Sequence, residues 1–234
     1  MSDIITQGAD KLNINLPPGA EAAFEAYYDL LSKRSKDVNL TAISGSENVA
    51  QLHFLDSLAL LSVVSFKSAS VIDIGSGAGF PGVPLKLAEP TIALTLLDAT
   101  RKRIVFLEEL CTLLGIKAAC IHARAEEASH DPGMRESYDV CVSRAVAKLN
   151  VLCELCLPFV KDGGFFIAMK SVDSDSELDC ARPAILELSA QLQECIDYTI
   201  PNTDIRHRAI LIQKISQTPE IYPRKFARIK KTPL

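Results

Sequence analysis

Apolar positions along the chain change from a helical spacing to short continuous runs near residue 70. Residues 20–34 (AEAAFEAYYDLLSKR) repeat apolar side chains at helical spacing, and residues 47–64 do so again. From residue 70 onward, short apolar runs alternate with helical patterns. The runs are SVIDI, IALTLLD, IKAACIH, YDVCVS and GFFIAMK. This alternation predicts βαβ units around a parallel sheet that is buried on both faces.

Helical patterns lie between the apolar runs, but none lies between the last two strand patterns. They cover residues 81–88, 101–114, 125–128, 147–157 and 176–190. Residues 193–199 and 208–214 then both have strand patterns, and the loop between them has no helical pattern. We therefore predict a seven-stranded, mostly parallel sheet in which the last strand pair is antiparallel.

The composition predicts a large core and no membrane segment. The chain has 234 residues, of which 48% are hydrophobic. No apolar stretch is long enough to cross a bilayer, and the first residues (MSDIITQGADKLNI) lack the features of a signal peptide. Seven cysteines without such a signal indicate reduced, buried thiols, and the CELC pair has no second Cys pair to complete a zinc site. We expect a cytoplasmic protein without a metal.

Positive charge is concentrated in two places, although the chain as a whole is acidic. The formal net charge is −4, yet residues 101–103 are all cationic, and so are five of the residues 224–234. Such clusters can bind phosphates, and a solvated surface is the alternative for each. A further alternative for the tail is packing on the sheet edge through Phe226, Ile229 and Leu234.

A glycine-rich stretch follows the first apolar run. Residues 71–85 (VIDIGSGAGFPGVPL) contain Gly75, Gly77, Gly79 and Gly82. Glycine suits a turn with positive φ or a close contact that leaves no room for a Cβ atom. Ligands of open α/β sheets bind at the carboxyl ends of the strands, where this turn lies. Packing of a helix on the strand is the alternative explanation.

The residues around this turn narrow the choice of ligand. A dinucleotide fingerprint needs G-x-G-x-x-G, but Phe80 stands in place of the third glycine, and no Gly-Lys-Ser/Thr of a P-loop follows. Asp98, about 20 residues later at the end of the second run, suits the hydroxyls of a ribose, with helix capping as a compatible role. Glu126 in ARAEE suits an adenine edge. S-Adenosylmethionine has a ribose and an adenine but no pyrophosphate.

Several motifs together resemble those of the RsmG (GidB) family, and the resemblance spans nearly the whole chain. They are NLTAI (39–43), HFLDSL (53–58), DIGSGAGFPGVPL (73–85), LLDATRKRIVFL (96–107), ARAEE (123–127), VSRAVAKLN (142–150), MK (169–170) and YPRK (222–225). The resemblance implies methylation of a guanine N7 in the decoding-region loop of 16S ribosomal RNA, free or within the small ribosomal subunit. It also implies a class I, Rossmann-like methyltransferase fold that uses S-adenosylmethionine. The expected organisation is an N-terminal helical extension (1–66), a cofactor-binding methyltransferase domain (67–218) and a basic C-terminal tail (219–234).

The resemblance also implies which residues contact the cofactor. Carried over position by position, these contacts fall on Gly75, Phe80, Ala125, Glu126 and Arg144. The glycine loop adds Gly77 and Gly79, and the general pattern of such methyltransferases adds Asp98. The chain departs from the family at Arg34, Ser35, Val38 and Ser171, which affects the N-terminal RNA contacts and the Lys170 loop but leaves the cofactor site intact.

Arg144 is the residue that we expect at the centre of the chemistry. Guanine N7 has an in-plane lone pair and no proton to lose, so methyl transfer needs positioning rather than a general base. A guanidinium after the fourth strand can bind a phosphate, stack on a base or donate to guanine O6, and an ion pair that only shapes the loop is the alternative. The cations expected to contact RNA are Arg124, Lys148, Lys170, Arg206, Arg224 and Lys225.

The sequence allows two rival functions, and one group of polar residues has two alternative roles. A nicotinamide-dependent dehydrogenase is disfavoured by Phe80, and an RNA-binding or ribosome-assembly module without turnover is the non-catalytic alternative. Asn39, Thr41, His53 and Asp56 can order a lid over the cofactor pocket or serve only local capping and packing. A histidine such as His53 on an apolar helix face is more often a hydrogen-bonded core residue than a ligand.

Overall fold

The computed structural model describes the backbone of residues 1–234 and every side chain except those of residues 36 and 37. Seven strands lie at its centre. They are β1 (Ser70–Ile74), β2 (Ala93–Asp98), β3 (Ala118–His122), β4 (Tyr138–Arg144), β5 (Val160–Ser171), β6 (Ala190–Thr199) and β7 (Arg206–Lys214). They form one sheet in the order β3-β2-β1-β4-β5-β7-β6.

The directions of the strands confirm the predicted sheet. β1 to β5 are joined by parallel pairings, whereas β7 is antiparallel to both of its neighbours, β5 and β6. Because β1 lies between β2 and β4, the chain reverses its winding direction beside β1. The carboxyl ends of β1, β2 and β4 therefore meet at the switch point where such sheets bind ligands.

Helices cover both faces of the sheet. They are α1 (Ser2–Lys11), α2 (Ala20–Val38), α3 (Ser46–Val49), α4 (Asp56–Leu58), α5 (Gly82–Ala88), α6 (Arg101–Leu114), α7 (Ala125–Ala128), α8 (Leu149–Cys156), α9 (Asp175–Glu187) and α10 (Phe226–Lys231). Successive side chains of a strand point to opposite faces. Val71 of β1 accordingly joins a core with α1, α2, α5 and α6, while Ile72 and Ile74 join a second core with α8, α9 and α10.

The N-terminal region differs in detail from the two predicted helices. The first, α2, forms as expected, but α1 was not predicted, although Ile5 and Ala9 on it are buried. The second predicted helix, 47–64, is a broken helix composed of α3, a π-helical stretch (Ala50–Leu55), α4 and a 3-10 stretch (Ala59–Ser62). Side chains from α2 and from the π-helical stretch belong to the same core as one face of the sheet.

One helix boundary was predicted too late. The helical pattern 176–190 extends past the end of α9 at Glu187, and Ala190 already belongs to β6. Leu188 and Ala190 are both buried, so the apolar pattern continues across the boundary. Ser189 has a φ of 58°, which is outside the helical range and ends the helix there.

The C-terminal residues pack against the body of the protein. Ile229 of α10 has no exposed surface, and Tyr222 before it is 5% exposed. Phe226 and Leu234 pack partly against the same core as α8. The apolar part of the tail therefore follows the packing alternative, although the partner is α8 rather than the sheet edge. None of the helices that the structure describes has the length and apolar character needed to cross a membrane.

Candidate functional site

The glycine turn after β1 opens a cleft at the switch point of the sheet. Gly75 and Gly77 have φ values of 72° and 58°. A Cβ atom on Gly75 would come within 2.5 Å of Val146, whereas one on Gly77 would find only the Gly75 carbonyl oxygen, at 3.8 Å. Gly79 instead packs inward, because a Cβ there would lie 2.6 Å from the Tyr27 hydroxyl. Of these three glycines, Gly77 is therefore the one with open space beside its Cα atom, on the side of the cleft.

This first cleft has a volume of about 510 Å³ and brings together most of the predicted cofactor residues. Gly75, Gly77, Phe80, Asp98 and Arg144 all line it. Gly79, Ala125 and Glu126 lie outside its lining. Their predicted cofactor contacts stay predictions.

Asp98 stands at the carboxyl end of β2 and supports the glycine turn from the side. Its Oδ2 atom accepts a hydrogen bond from the Gly77 N–H at 3.0 Å and pairs with Nη1 of Arg103 at 3.3 Å. Its Oδ1 atom accepts from the Thr100 N–H at 2.8 Å, which is the capping bond that the sequence allowed. The residue is 3% exposed and faces the cleft.

Asp73 fixes the other end of the glycine turn. Its Oδ2 atom accepts a hydrogen bond from the Gly82 N–H at 2.8 Å, while Oδ1 is buried without a partner among the described residues. Burial raises the pKa of Asp73 to about 7, even though the Gly82 bond and the charge of Arg144 act in the opposite direction. A buried carboxyl is more stable in its neutral form.

Arg144 ends β4 and is held by three groups of the broken helix. Its Nη1 donates to the Leu52 carbonyl oxygen at 3.1 Å and to Asp56 Oδ2 at 3.0 Å. Its Nη2 donates to Nδ1 of His53 at 2.8 Å. The guanidinium also lies over the Phe80 ring, 5.0 Å from its centroid. The ion pair proposed as the alternative role of Arg144 exists, and the same side chain also lines the cleft.

His53 is a neutral, hydrogen-bonded histidine. Since Nδ1 accepts from Arg144, the ring proton is on Nε2, which donates to Thr41 Oγ1 at 2.7 Å. Burial, together with the charge of Arg144, lowers the pKa of His53 to about 3. The ring stacks on Phe80 with centroids 4.4 Å apart, and Phe80 stacks in turn on Tyr27. The residue is 8% exposed and hydrogen-bonded at both ring nitrogens, as expected for a core histidine.

Asp56 connects Arg144 to the antiparallel end of the sheet. It is 1% exposed, and its Oδ1 accepts from the Tyr198 hydroxyl at 2.9 Å and pairs with Nδ1 of His207 at 2.8 Å. Burial alone would raise the pKa of Asp56, but the hydrogen bond from His207 and the charge of Arg144 lower it below its ordinary value. Asp56 is therefore an anion enclosed by donors.

Tyr198 and His207 are members of this network that sequence reasoning missed. They face each other as a register pair of β6 and β7. Neither residue is among the site residues that the sequence predicts. The available signal was weak: His207 is a polar residue near the start of a strand whose central positions, Ala209 to Ile212, are buried and apolar.

A second cleft of about 490 Å³ lies on the other side of Arg144. Its walls include His53, Asp56, Arg144, Lys170 and His207. His53, Arg144 and Ala145 line both clefts. The two clefts are therefore neighbours, and the Arg144–His53 pair separates them.

The cations expected to contact RNA have different surroundings. Arg124 pairs with Glu126, Lys170 with Glu177, Arg206 with Asp197 and Arg224 with Glu154. Lys148 and Lys225 are exposed. Of these four ion pairs, the Arg224–Glu154 pair has the most hydrogen bonds to a fully buried carboxylate. Glu154 accepts hydrogen bonds from the backbone N–H and from the guanidinium of Arg224.

The described residues contain no group of side chains arranged as a metal-binding site. Among the residues that the structure describes, no group of three or more His, Cys, Asp or Glu side chains is arranged to hold an ion. All seven cysteines are free thiols, and Cys153 and Cys156 of the CELC pair have no exposed surface.

Comparisons with known proteins agree with the geometry. The profile of a family described as rRNA small subunit methyltransferase G (GidB) matches residues 20–207. The chain is 46% identical over 237 residues to the ribosomal RNA small subunit methyltransferase G of Alkaliphilus oremlandii, covering 100% of this chain and 99% of that protein. The corresponding protein of Acetivibrio thermocellus is 41% identical over 232 residues, which cover 99% and 96% of the two chains.

The likeness to solved structures concerns the fold. The crystal structure of M. jannaschii TYW2 in complex with AdoMet matches with a TM-score of 0.55 at 13% identity, covering 76% of this chain and 81% of that one. This match, like a match of TM-score 0.55 at 12% identity to a methyltransferase from Pyrococcus furiosus, covering 82% of this chain and 98% of that one, confirms the methyltransferase fold expected from the sequence. The family profile and the full-length relatives lead to one conclusion: the chain belongs to the rRNA small subunit methyltransferase G family, as its motifs indicated.

Proposed function

We propose that this protein transfers a methyl group from S-adenosylmethionine to N7 of a guanine in the decoding-region loop of 16S ribosomal RNA. The observation that carries the proposal is the pair of neighbouring clefts that share Arg144 and His53. A methyltransferase must hold a cofactor and an acceptor side by side, and two clefts with a common wall provide such an arrangement. The geometry does not favour a second function.

The first cleft fits the cofactor. Gly77 leaves open space in front of the turn, so its backbone can be approached closely. Asp98 offers a carboxylate at the edge of the cleft, where ribose hydroxyls can donate to it. Phe80 and His53 form a stacked aromatic wall, and Arg144 adds a positive charge. S-Adenosylmethionine, when bound, supplies an electrophilic methyl group.

The second cleft suits the acceptor base. Its wall combines apolar side chains, among them Leu52 and Met169, with the polar edge formed by Arg144 and His207. Arg144 has five N–H donors, and its contacts with Leu52, Asp56 and His53 use three of them. Two donors remain for the reactants on either side.

Positioning is the main contribution of these residues to the reaction. The N7 lone pair lies in the plane of the base and carries no proton, so no side chain has to accept one. Holding two reactants in line contributes up to roughly 7 to 11 kcal/mol in well-oriented systems. The rigid support of Arg144 by Asp56 and His53 provides that alignment from the protein side.

Cations around the second cleft can bind the phosphates of the RNA. Lys148 is exposed near the end of β4, and Lys170 lines the second cleft. Arg206 precedes His207 and is largely exposed. We propose that these cations hold the backbone of the RNA around the target base, with weaker contributions from Arg124, Arg224 and Lys225. An rRNA substrate also implies a cytoplasmic protein.

A methylation assay with a matched control tests the proposal. Free 16S rRNA and small subunits, both from cells that lack the enzyme, are incubated with the protein and tritiated S-adenosylmethionine. We expect incorporation into one guanine and a loss of at least roughly 100-fold for Arg144→Lys, which keeps the charge but not the planar fork. Arg182→Lys on the exposed face of α9 is the control and should behave as wild type.

Binding measurements distinguish the rival functions. Calorimetric titration should detect S-adenosylmethionine but not NADH. Cofactor binding without incorporation into either RNA substrate would support a non-catalytic module and overturn the proposed reaction.

A further inference from the structure

The second cleft is bordered by a histidine that has one ring nitrogen without a partner among the described residues. His207 begins β7 and lines this cleft, and its side chain is 32% exposed. Nδ1 is bonded to the buried carboxylate of Asp56 at 2.8 Å. Nε2 lies on the opposite side of the ring and has no hydrogen-bond partner among the described residues. The ring is therefore fixed at one nitrogen and available at the other.

The partner at Nδ1 determines what Nε2 can do. Asp56 is an acceptor only, so Nδ1 of His207 carries a proton, and Nε2 donates only when the ring is doubly protonated. The hydrogen bond to Asp56 raises the pKa of His207 above its ordinary value, although burial and the charge of Arg144 act against it. Tyr198 of β6 meets the ring edge-on.

Other charged groups lie around His207, but none of them is hydrogen-bonded to it as Asp56 is. Lys170 of β5 lines the same cleft, and Asp197 on β6 is paired with Arg206 and Arg208 on either side of His207. Asp197 is therefore already neutralised, and Asp56 is the carboxylate that acts directly on His207.

The walls of the cleft favour a base rather than a phosphate. Ile43, Leu52, Met169 and Ile205 contribute apolar surface to it. A flat aromatic base can cover such surface, whereas a phosphate would be desolvated against it. His207 and Arg144 contribute polar groups to the same cleft, together with His53, Asp56, Lys170 and Ser171.

We propose that doubly protonated His207 donates a hydrogen bond from Nε2 to O6 of the acceptor guanine and so selects guanine over adenine. This inference rests on the proposed function. On the edge that carries N7, guanine presents the acceptors N7 and O6, whereas adenine presents an amino donor in place of O6. A donor fixed at this position pairs with guanine and opposes adenine. His207 keeps its proton throughout, so N7 remains free to accept the methyl group.

The charges of the network are compatible with a cationic product. Asp56 carries one negative charge between two cationic groups, Arg144 and His207. It offsets part of their repulsion with the positive charge that the base acquires on methylation. Asp56 is thus a positioning residue that acts on both side chains.

Substitutions at His207 test the inference through the pH dependence of methylation. The value of kcat/KM for small subunits without the modification is measured from about pH 5 to pH 9, which spans the titration of a histidine. Wild type should lose activity as the pH rises through the folded pKa of His207, because the Nε2 donor disappears. His207→Arg donates at every pH and should be active without that decline. His207→Phe should lose about 10-fold to 150-fold at low pH, as expected for one hydrogen bond to a charged group.

Two controls separate this effect from misfolding and from other histidines. S-Adenosylmethionine affinity, measured by calorimetry, should be unchanged in both variants because His207 does not line the first cleft. His130→Gln removes an exposed histidine that lines neither of the two clefts and should keep the wild-type pH profile.

Each other outcome contradicts a defined part of the proposal. If wild type methylates the subunit and His207→Phe has the same activity and pH profile, His207 is not a specificity residue. If His207→Phe changes only KM and makes it less dependent on salt, the contact is to a phosphate and the assignment to O6 is wrong. If wild type methylates no RNA at all, the proposed function itself fails, and the inference fails with it.

Discussion

Gly77 is the residue at which backbone strain and ligand contact can be separated by experiment. Its φ of 58° is unfavourable for any L-residue, and a Cβ atom added there would have no atom beyond its chain neighbours nearer than 3.8 Å. We predict that Gly77→Val folds but abolishes S-adenosylmethionine binding, because the side chain would fill the open part of the first cleft. Calorimetric titration is the measurement.

Gly115 provides the matched control for this substitution. It ends α6 with a φ of 63°, has nothing within 4 Å of the Cβ position, and does not line the cleft. Gly115→Val should therefore lose a similar free energy of unfolding, about 1 to 2 kcal/mol, and bind the cofactor normally. Normal binding by Gly77→Val would mean that the glycine turn serves packing alone.

Asp98 tests where the ribose binds. Asp98→Ala should weaken S-adenosylmethionine binding by about 1 to 3 kcal/mol, the range for hydrogen bonds to a charged group. Part of this loss arises because the Gly77 and Thr100 N–H groups also lose their acceptor. An unchanged dissociation constant would place the ribose elsewhere in the cleft.

Asp73 should make the stability of the protein depend on pH. Its folded pKa is raised to about 7, while an unfolded aspartate titrates near pH 4. Below about pH 4 the carboxyl is protonated in both states, and between about pH 4 and pH 7 the unfolded state ionises first, so stability falls as pH rises. Asp73→Asn cannot ionise and keeps an oxygen for the Gly82 N–H. We expect it to be more stable than wild type at pH 8, by on the order of 4 kcal/mol, but not at pH 4.

Asp139 is the control of opposite sign. Burial would raise its pKa, but hydrogen bonds from Lys161 and Ser70 lower it to about 2. This carboxylate contributes stability that is present above about pH 4 and lost as the pH falls through the folded pKa. Asp139→Asn should therefore be less stable than wild type at pH 8. Denaturant unfolding at both pH values measures the two variants, and equal pH dependence of Asp73→Asn and wild type would contradict the burial argument.

At the scale of elements, the segment that precedes α10 is expected to stabilise the protein through a buried ion pair. Arg224 holds Glu154, which has no exposed surface. Arg224→Ala should lower the free energy of unfolding by about 3 to 5 kcal/mol, because it leaves a buried charge without its partner. Arg228→Ala, an exposed cation on α10, should change it by less than about 0.5 kcal/mol. A loss for Arg224→Ala as small as that for Arg228→Ala, measured by denaturant unfolding, would show that the Arg224–Glu154 pair does not stabilise the fold.

The elements that the sequence predicted well are those with a single dominant pattern. β1, β2 and β3 are continuous apolar runs, and α6 matches the predicted residues 101–114. The broken helix 46–62 was predicted as one helix because its apolar spacing does not record the π-helical stretch. The insertion of β7 between β5 and β6 also has no local signal, since it depends on pairing between distant residues.

Some residues of the candidate site could be predicted from the sequence and others could not. Gly77, Asp98 and Arg144 were predicted because each lies at or just after the end of a strand, and the carboxyl ends of parallel strands meet at one edge of the sheet. Tyr198 and His207 could not be found by that rule, because they come from the antiparallel pair. They reach Arg144 only through Asp56, and that contact exists only in the folded protein.

At the scale of the whole molecule, the N-terminal helices are part of the working structure. Side chains of α2 and of the broken helix pack in the same core as one face of the sheet. The broken helix also supplies His53 and Asp56, which hold Arg144. The region therefore contributes both to stability and to the wall between the two clefts.

The distribution of charge suggests that RNA binds at one cationic patch rather than over the whole surface. The net charge is −4, so the surface as a whole does not attract nucleic acid. Arg144, Lys170 and His207 bring cationic groups together around the second cleft. RNA binding should accordingly depend on this patch and weaken as salt increases.

The central claim is methylation of one guanine at N7, and mapping 7-methylguanosine in 16S rRNA tests it most directly. The rRNA is compared between cells that contain this protein, cells that lack it and cells that carry Arg144→Lys. We predict one 7-methylguanosine in the decoding-region loop that is present only with the unaltered protein. The same modification in cells without the protein, or its absence in cells that contain it, would contradict the claim.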